Sequence, residues 1–259
     1  MQRALFAGIL IGSLCAVIGI YVVLKGMSFM GAGISHAAFG GVALGFLLKF
    51  DPLLSSIFFC VASGLGIAYL SKKSRIKEDT TIGIFFASTM ALGILIFGLL
   101  KGINVDLFGY LFGNILAVTL NDLYLSLLVE GVVFFFILFY YKELLLLVLD
   151  QEMAEASGIP VSLIYYLLVC FISLTIVISI KVVGIVLVSA LLIIPSAAAL
   201  QITDNFKRAL ITAIVFGVAS SIGGLILSYY LDTPSGATIV LFATGIFLIT
   251  SFLTPKKRD

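Results

Sequence analysis

The sequence predicts an all-α polytopic membrane protein, with about eight to nine transmembrane helices plus a short re-entrant or half helix. The first observation is composition: of 259 residues, 62% are hydrophobic and only 11% are charged, and the mean hydropathy is +1.27. A soluble domain carries roughly a quarter charged residues, because its surface faces water. The second observation is that the apolar residues fall into stretches of about 20, the length with which a helix crosses a bilayer.

Nine apolar stretches are long enough to span, and they are joined by short connections. A further stretch, "VDLFGYLFGNILAV" at 105–118, is shorter and favours a re-entrant or tilted half-helix. The whole chain, 1–259, is expected to form a single transmembrane domain. The predicted spans are 4–24, 27–48, 53–71, 81–100, 123–141, 161–180, 182–201, 209–230 and 236–253.

Lysine and arginine are distributed unequally between the two sides of this arrangement. With nine spans, 11 of the 15 basic residues fall on one side and 4 on the other. Short cytoplasmic loops carry the excess of positive charge. The sequence therefore predicts that the N-terminus is outside and that the C-terminus is cytoplasmic.

The longest connection on the predicted cytoplasmic side is "KELLLLVLDQEMAEASGIP", 142–160. It places Asp150, Glu152 and Glu155 in a run of good helix formers that ends at Gly158, which predicts a short helix with a glycine stop. This acidic helix either joins two spans along the interface or docks a soluble partner.

Several catalytic motifs are absent from the sequence. There is no GxxxxGK[ST] loop to hold ATP phosphates, and with one histidine there is no HExxH zinc site. No GxSxG nucleophile elbow occurs either. We therefore expect no catalysis by this chain alone.

A stripe of small residues runs along the second predicted span. Ala37, Gly41 and Gly45 recur every four residues, so they lie on one helix face and permit close approach of another helix. Pro195 lies inside the seventh span, where it is expected to kink the helix or free a carbonyl group.

His36, the only histidine of the chain, lies beside that stripe, with Ala32 and Gly40 one turn away on either side. The small neighbours are expected to leave space for water or an ion. A neutral imidazole is a common ligand of transition metals, which makes His36 a candidate for a metal pathway. The alternative is a histidine that packs helices together through a hydrogen bond across them.

Two carboxylates are further candidates for the metal pathway. Glu130 lies within the fifth span, where an ionisable residue is costly and usually functional. It either lines a pathway or pairs with a cation such as Lys181. Asp106 begins the half-helix, where it either caps the helix or faces an outer vestibule.

Four segments in order, "MSFMGAGISHAAFGGVALGFLL", "VDLFGYLFGNILAVTLNDL", "DQEMAEASGIP" and "KVVGIVLVSALLIIPSAAAL", resemble the permease subunits of bacterial metal-ion ABC importers. The late segment "YLDTPSGATIVL" extends the resemblance over nearly the whole chain. It implies a fold similar to a small type II ABC importer permease, in the bacterial cell membrane.

The resemblance also implies partners and cargo. Two permease copies form the pathway, two cytoplasmic ATPase subunits bind below it, and an extracellular solute-binding protein delivers the metal. The chain binds no cofactor, ATP is used by the partner subunit, and the cargo is a divalent transition metal, with zinc favoured over manganese or iron. The segment 150–159 matches the stretch that docks on the ATPase.

One position departs from the family pattern. Many members carry an aspartate one helical turn before the histidine, and here that position is Ala32. Another oxygen, from Asp106 or Glu130, is then expected to complete any coordination. Two alternatives remain open at this point: a permease for a metal chelate such as a siderophore, or a secondary transporter with Glu130 as proton carrier.

Overall fold

The computed structural model describes residues 1–74, 76–100 and 115–253, and the regular structure in these ranges is helical throughout. The described ranges contain eleven α-helices and one 3-10 turn, Ile115–Ala117. The α-helices are α1 (Gln2–Leu24), α2 (Met30–Leu48), α3 (Pro52–Ser74), α4 (Glu78–Leu99), α5 (Leu120–Phe139), α6 (Tyr141–Leu149), α7 (Gln151–Ala156), α8 (Val161–Val183), α9 (Ile185–Ile202), α10 (Phe206–Leu231) and α11 (Ser235–Leu253).

Within the described ranges, nine of these helices are long and apolar enough to cross a membrane, all except α6 and α7. The nine predicted spans are confirmed, and their ends differ from the observed ends by three residues or fewer. Of the predicted half-helix only 115–118 is described, and it contains the 3-10 turn. Asp106 lies outside the described residues.

The helices fall into two compact units. The first unit combines Met1–Val23 with the described parts of 108–130 and 179–259. Its helices approach closely where glycines face one another. A Cβ atom added to Gly12 of α1 would lie 2.8 Å from the carbonyl oxygen of Gly217 in α10, so neither position has room for a side chain.

Pro195 lies in the first unit, inside a span. The helix α9 runs from Ile185 to Ile202 without a break, with Pro195 buried inside it. The next residue, Ser196, donates a hydrogen bond from its Oγ to the carbonyl oxygen of Ala16 in α1, at 3.1 Å. The proline is therefore accommodated within a continuous span.

The second unit combines the described parts of 24–107 with 131–178. In this unit α2 packs against both α3 and α4. A Cβ atom on Gly41 would lie 2.7 Å from the Cα atom of Ser56 in α3, and one on Gly40 would lie 2.8 Å from the carbonyl oxygen of Thr89 in α4. The glycines of α2 thus allow α3 and α4 to approach its backbone closely.

Candidate metal pathway and docking segment

The imidazole of His36 is half-buried on α2. Its Nδ1 lies 2.9 Å from the carbonyl oxygen of Ala32, one turn earlier in the same helix. A carbonyl only accepts hydrogen bonds, so Nδ1 carries the proton and Nε2 keeps its lone pair. The ring packs on Phe86 of α4, with 4.4 Å between ring centroids. The hydrogen bond of His36 thus lies within α2, and not across helices as the packing alternative required.

Of the two small neighbours of His36, Ala32 borders open space and Gly40 does not. Gly40 is packed against α3 and α4, and Gly45 is packed against Pro52, where a Cβ atom would lie 2.8 Å from the proline Cα atom. A cavity of about 510 Å³ instead opens one turn before His36, next to Ala32. Its lining residues are Phe29, Ala32, Gly33, Asp79, Thr80, Ile82, Gly83 and Phe86.

Glu130 is buried in α5, with 8% of its surface exposed. Its Oε1 accepts a hydrogen bond from Ser13 Oγ of α1 at 2.6 Å, and no partner for its Oε2 lies among the described residues. Lys181, the cation suggested for Glu130, pairs with Asp122 instead, at 2.8 Å. The sequence pattern gave no sign of Ser13 as the partner.

Asp122 also organises the start of α5. Its carboxylate accepts hydrogen bonds from the backbone N–H and the hydroxyl of Thr119, and its own N–H donates to the Thr119 hydroxyl. This reciprocal arrangement is a capping box, which satisfies amide groups that a helix start leaves without partners. Lys181 therefore binds a carboxylate that already has a structural role.

The predicted pathway residues do not form one preassembled metal site in the part of the chain that is described. His36 belongs to the second unit and Glu130 to the first. No group of three or more His, Cys, Asp or Glu side chains among the described residues is placed to hold a metal ion. A conduit needs binding weak enough for release, so few ligands are compatible with transport.

The segment 142–160 forms two short helices where the sequence predicted one. The break falls at Asp150, whose backbone is extended and whose Oδ1 accepts a hydrogen bond from the N–H of Met153 at 2.9 Å. Asp150 is thus the N-cap of α7 rather than a residue inside a continuous helix. The run of apolar helix formers before it concealed this break.

The end of α7 agrees with the predicted glycine stop. Gly158 has φ +79°, and its N–H donates to the carbonyl oxygen of Glu155, while the N–H of Ile159 donates to that of Ala154. This pair of bonds is a Schellman motif, which requires the left-handed conformation that glycine adopts without strain. With a cap at each end, α7 is a well-defined short helix.

The surface of α7 is acidic and open to solvent. Ala154 is fully buried and anchors α7, whereas Glu152, Met153 and Glu155 are exposed. Met153 alone exposes 59% of its surface. The segment Asp150–Gly158, called here the docking segment, therefore combines a buried anchor with an exposed acidic and apolar face.

Lys25 fixes the base of the docking segment, a role that sequence reasoning missed. Its Nζ donates to Gln151 Oε1 at 2.9 Å and to the carbonyl oxygen of Leu147 at 3.4 Å, and it lies 5.8 Å from the centre of the Tyr165 ring. Burial lowers the pKa of the Lys25 ammonium group, and the negative charge of Glu78 opposes that shift. Only its position directly after a span hinted at this role.

Comparison with known proteins adds an independent line of evidence. Residues 1–254 match the model of the family described as "ABC 3 transport family". The chain is 42% identical over 257 residues to the "Manganese transport system membrane protein MntC" of Halalkalibacterium halodurans. That alignment covers 99% of this chain and 88% of the relative.

Solved structures share the fold. The structure "PsaBC from Streptococcus pneumoniae in complex with Fab" matches with a TM-score of 0.86 and 38% identity, covering 99% of this chain and 92% of that chain. The structure "An inward-facing conformation of a putative metal-chelate type ABC transporter" matches with a TM-score of 0.76 at 18% identity, covering 97% of this chain and 85% of that chain. With all-helical architecture and a family match over nearly its full length, this chain belongs to the ABC 3 transport family, as a multi-pass permease subunit of a bacterial metal-ion ABC importer.

Proposed function

We propose that this permease carries manganese into the cell. The observation that carries the proposal is the 42% identity, over 99% of the chain, to a protein named for manganese transport. The sequence analysis favoured zinc, and the relative's name gives that preference no support. Iron and zinc are therefore tested as competitors.

We also propose an assembly of two permease copies with two ATPase subunits on the cytoplasmic side. An ABC importer permease works with an ATPase and a solute-binding protein, and the distribution of basic residues supports an outer N-terminus and a cytoplasmic docking segment. In this assembly the permease holds no resident cofactor, and ATP is hydrolysed by the partner subunit.

The cargo meets His36 on its way through the permease. The proton on Nδ1 leaves the Nε2 lone pair as the donor to a passing cation. Histidine alone suits zinc or iron, whereas manganese prefers oxygen ligands. Glu130 and Asp106 are the carboxylates proposed to supply oxygen donors along the route. The buried Oε2 of Glu130, which has no partner among the described residues, supports its part in this.

The test is uptake of radioactive manganese into proteoliposomes that contain the complete complex, with iron or zinc added in excess. We expect ATP-dependent uptake that unlabelled manganese suppresses more strongly than either competitor. Stronger suppression by zinc would overturn the manganese assignment and leave the importer assignment intact.

The role of His36 is tested with two variants in the same assay. His36→Phe keeps an aromatic ring against Phe86 but removes both ring nitrogens, whereas His36→Ala removes the ring as well. We expect both variants to lose uptake by about tenfold or more, since even outer partners of metal ligands cost that much. Wild-type uptake in His36→Phe would reduce the histidine to packing.

The metal-chelate alternative, left open because Ala32 replaces the aspartate, would need a wide route for a bulky cargo. Gly40, Gly41 and Gly45 of α2 do not provide that width, because each is in close contact with a neighbouring helix of the second unit. The secondary-transporter alternative is set aside because the chain belongs to an ABC transport family.

The docking segment is tested by charge reversal. The double variant Glu152→Lys with Glu155→Lys changes two exposed side chains and leaves both caps of α7 in place. We expect it to abolish co-purification of the ATPase. Glu143→Lys, in the preceding helix α6, is the matched control and should retain the ATPase. If the double variant still retained the ATPase fully, the docking site would lie elsewhere on the permease.

A further inference from the structure

A second cavity, of about 400 Å³, lies in the second unit and takes no part in the proposed route of the metal. It opens where three membrane spans have their ends: the last turn of α3, the start of α4 and the start of α8. Its lining residues are Ala68, Ser71, Lys72, Ile76, Lys77, Glu78, Gln151, Val161, Ser162 and Tyr165.

The cavity carries positive charge from two lysines. Lys72 donates one hydrogen bond to Ser162 Oγ, and an ammonium group has three donors, so two remain for a ligand. Lys77 is exposed and directly precedes α4, whose start is the positive end of its dipole. The single acid of the lining, Glu78, is engaged by the Tyr165 hydroxyl at 2.7 Å.

A buried hydroxyl points independently to a polar ligand. Ser71 exposes 8% of its surface, and its Oγ has no hydrogen-bond partner within the described part of the chain. A buried polar group without a partner lowers the stability of the fold by about as much as the loss of a hydrogen bond does. The lining of this cavity therefore holds an unused donor next to two cations, which together fit an oxyanion.

We propose that this cavity binds the phosphate group of an anionic phospholipid. Basic pockets between spans at the cytoplasmic face suit such headgroups. The apolar neighbours favour a lipid over a soluble anion: Ile76 lines the cavity with 42% of its surface exposed, and Leu70, directly before Ser71, exposes 40%. Acyl chains beside the headgroup would cover these side chains. The proposal is independent of which metal is transported.

The test uses the full-length permease in detergent, with phosphatidylglycerol, phosphatidylcholine or inorganic phosphate as the probe. Native mass spectrometry counts bound lipid, and the thermal unfolding midpoint reports binding. We expect phosphatidylglycerol to bind and raise the midpoint, with little effect of the other two. If inorganic phosphate gives the same shift, the lipid assignment is overturned in favour of a soluble phosphate.

Variants locate the site. Lys72→Gln with Lys77→Gln should weaken phosphatidylglycerol binding by about thirtyfold, from about fivefold for each lysine near an anionic surface. Lys73→Gln is the matched control, because Lys73 packs over the Tyr69 ring and does not line the cavity. Equal binding by the double variant and the control would overturn the proposal. Lys77→Gln alone keeps the Lys72 hydrogen bond and should still lose about fivefold.

Ser71→Ala separates ligand binding from folding. In the free protein this change removes a hydroxyl that has no partner, so the unfolding midpoint without lipid should not fall. Phosphatidylglycerol binding should nevertheless weaken severalfold. A lower midpoint together with unchanged lipid binding would assign the hydroxyl a structural role and contradict the proposed contact.

Discussion

The ammonium group of Lys25 lies 2.9 Å from the side-chain oxygen of Gln151, the first residue of α7. The side-chain amide of Gln151 in turn donates to Glu155 at 3.3 Å, on the exposed face of the docking segment. Lys25, which lies between two spans, therefore holds the docking segment in place.

Lys25→Met is expected to loosen the docking segment without unfolding the permease. The lost hydrogen bonds are partly exposed, so the cost is about 1 kcal/mol, near the lower range for a charged donor. Limited proteolysis should cleave within 142–158 faster than in the wild type, and less ATPase should co-purify. The control is Lys142→Met, which removes an exposed lysine of α6, the helix before the docking segment. Identical cleavage rates in the two variants would exclude this role of Lys25.

Glu130→Gln should separate transport from stability. The glutamine amide oxygen still accepts the hydrogen bond of Ser13, so we expect the free energy of unfolding to change by less than about 1 kcal/mol. Manganese uptake should fall by about tenfold or more if the carboxylate serves the pathway. Ser13→Ala is the complementary variant and removes the hydrogen bond to Oε1, so that neither carboxylate oxygen keeps a partner among the described residues. Wild-type uptake by Glu130→Gln would make Glu130 a structural residue.

Gly41→Ala should destabilise the permease although alanine is the better helix former. The new methyl group would meet the Ser56 backbone at 2.7 Å, which forces α2 and α3 apart at a cost of about 1–3 kcal/mol. Gly131→Ala in α5 is the matched control, since nothing lies within 4 Å of its added Cβ, and it should gain up to about 1 kcal/mol. Thermal unfolding in detergent measures both, and equal midpoints would contradict the close packing.

Asp122→Ala should cost more than Lys181→Met. The lysine side chain is 44% exposed, so the ion pair contributes less than about 1 kcal/mol. Loss of Asp122 also removes its hydrogen bonds to Thr119 at the start of α5, worth about another 1 kcal/mol. Denaturation of the two variants and of the double variant gives the coupling energy. A larger effect of Lys181→Met would show that the charge pair dominates.

Ala32→Asp should be tolerated and should strengthen metal binding. The substituted side chain would enter the cavity beside Ala32 and place an oxygen ligand one turn before His36. We expect a normal yield of folded protein and a lower half-saturating manganese concentration in uptake, with slower release at high occupancy. Ala32→Asn, which adds a neutral group of the same size, is the control. Misfolding of both variants would show that the cavity cannot accept a side chain.

The spans were predictable because each depends on local composition, whereas the contacts around them were not. A run of about 20 apolar residues is sufficient to place a helix in lipid. A glycine at the end of a helix, such as Gly158, predicts the left-handed conformation from its residue type alone. The partner of Glu130 is Ser13, separated from it by 117 residues, and no local pattern connects them.

The small residues of α2 around His36 were recognised, but not which of them would border a gap: Ala32 lines a cavity, whereas Gly40 is packed against neighbouring helices. A glycine indicates that something lies close, but its sequence context does not say whether that is water, an ion or another helix. At Gly40 the neighbour is the backbone of α4. The break at Asp150 was hidden by the apolar helix formers before it, although aspartate is favoured at a cap over a helix interior.

The composition of the first unit has a consequence for biogenesis. Its helix α1 is synthesised more than 150 residues before its partners α9 and α10. Until then Gly12 and Gly19 present bare backbone to lipid or to an insertion chaperone. Nascent chains arrested before α9 should therefore be preferred substrates of membrane proteases, even though they already contain most of their spans.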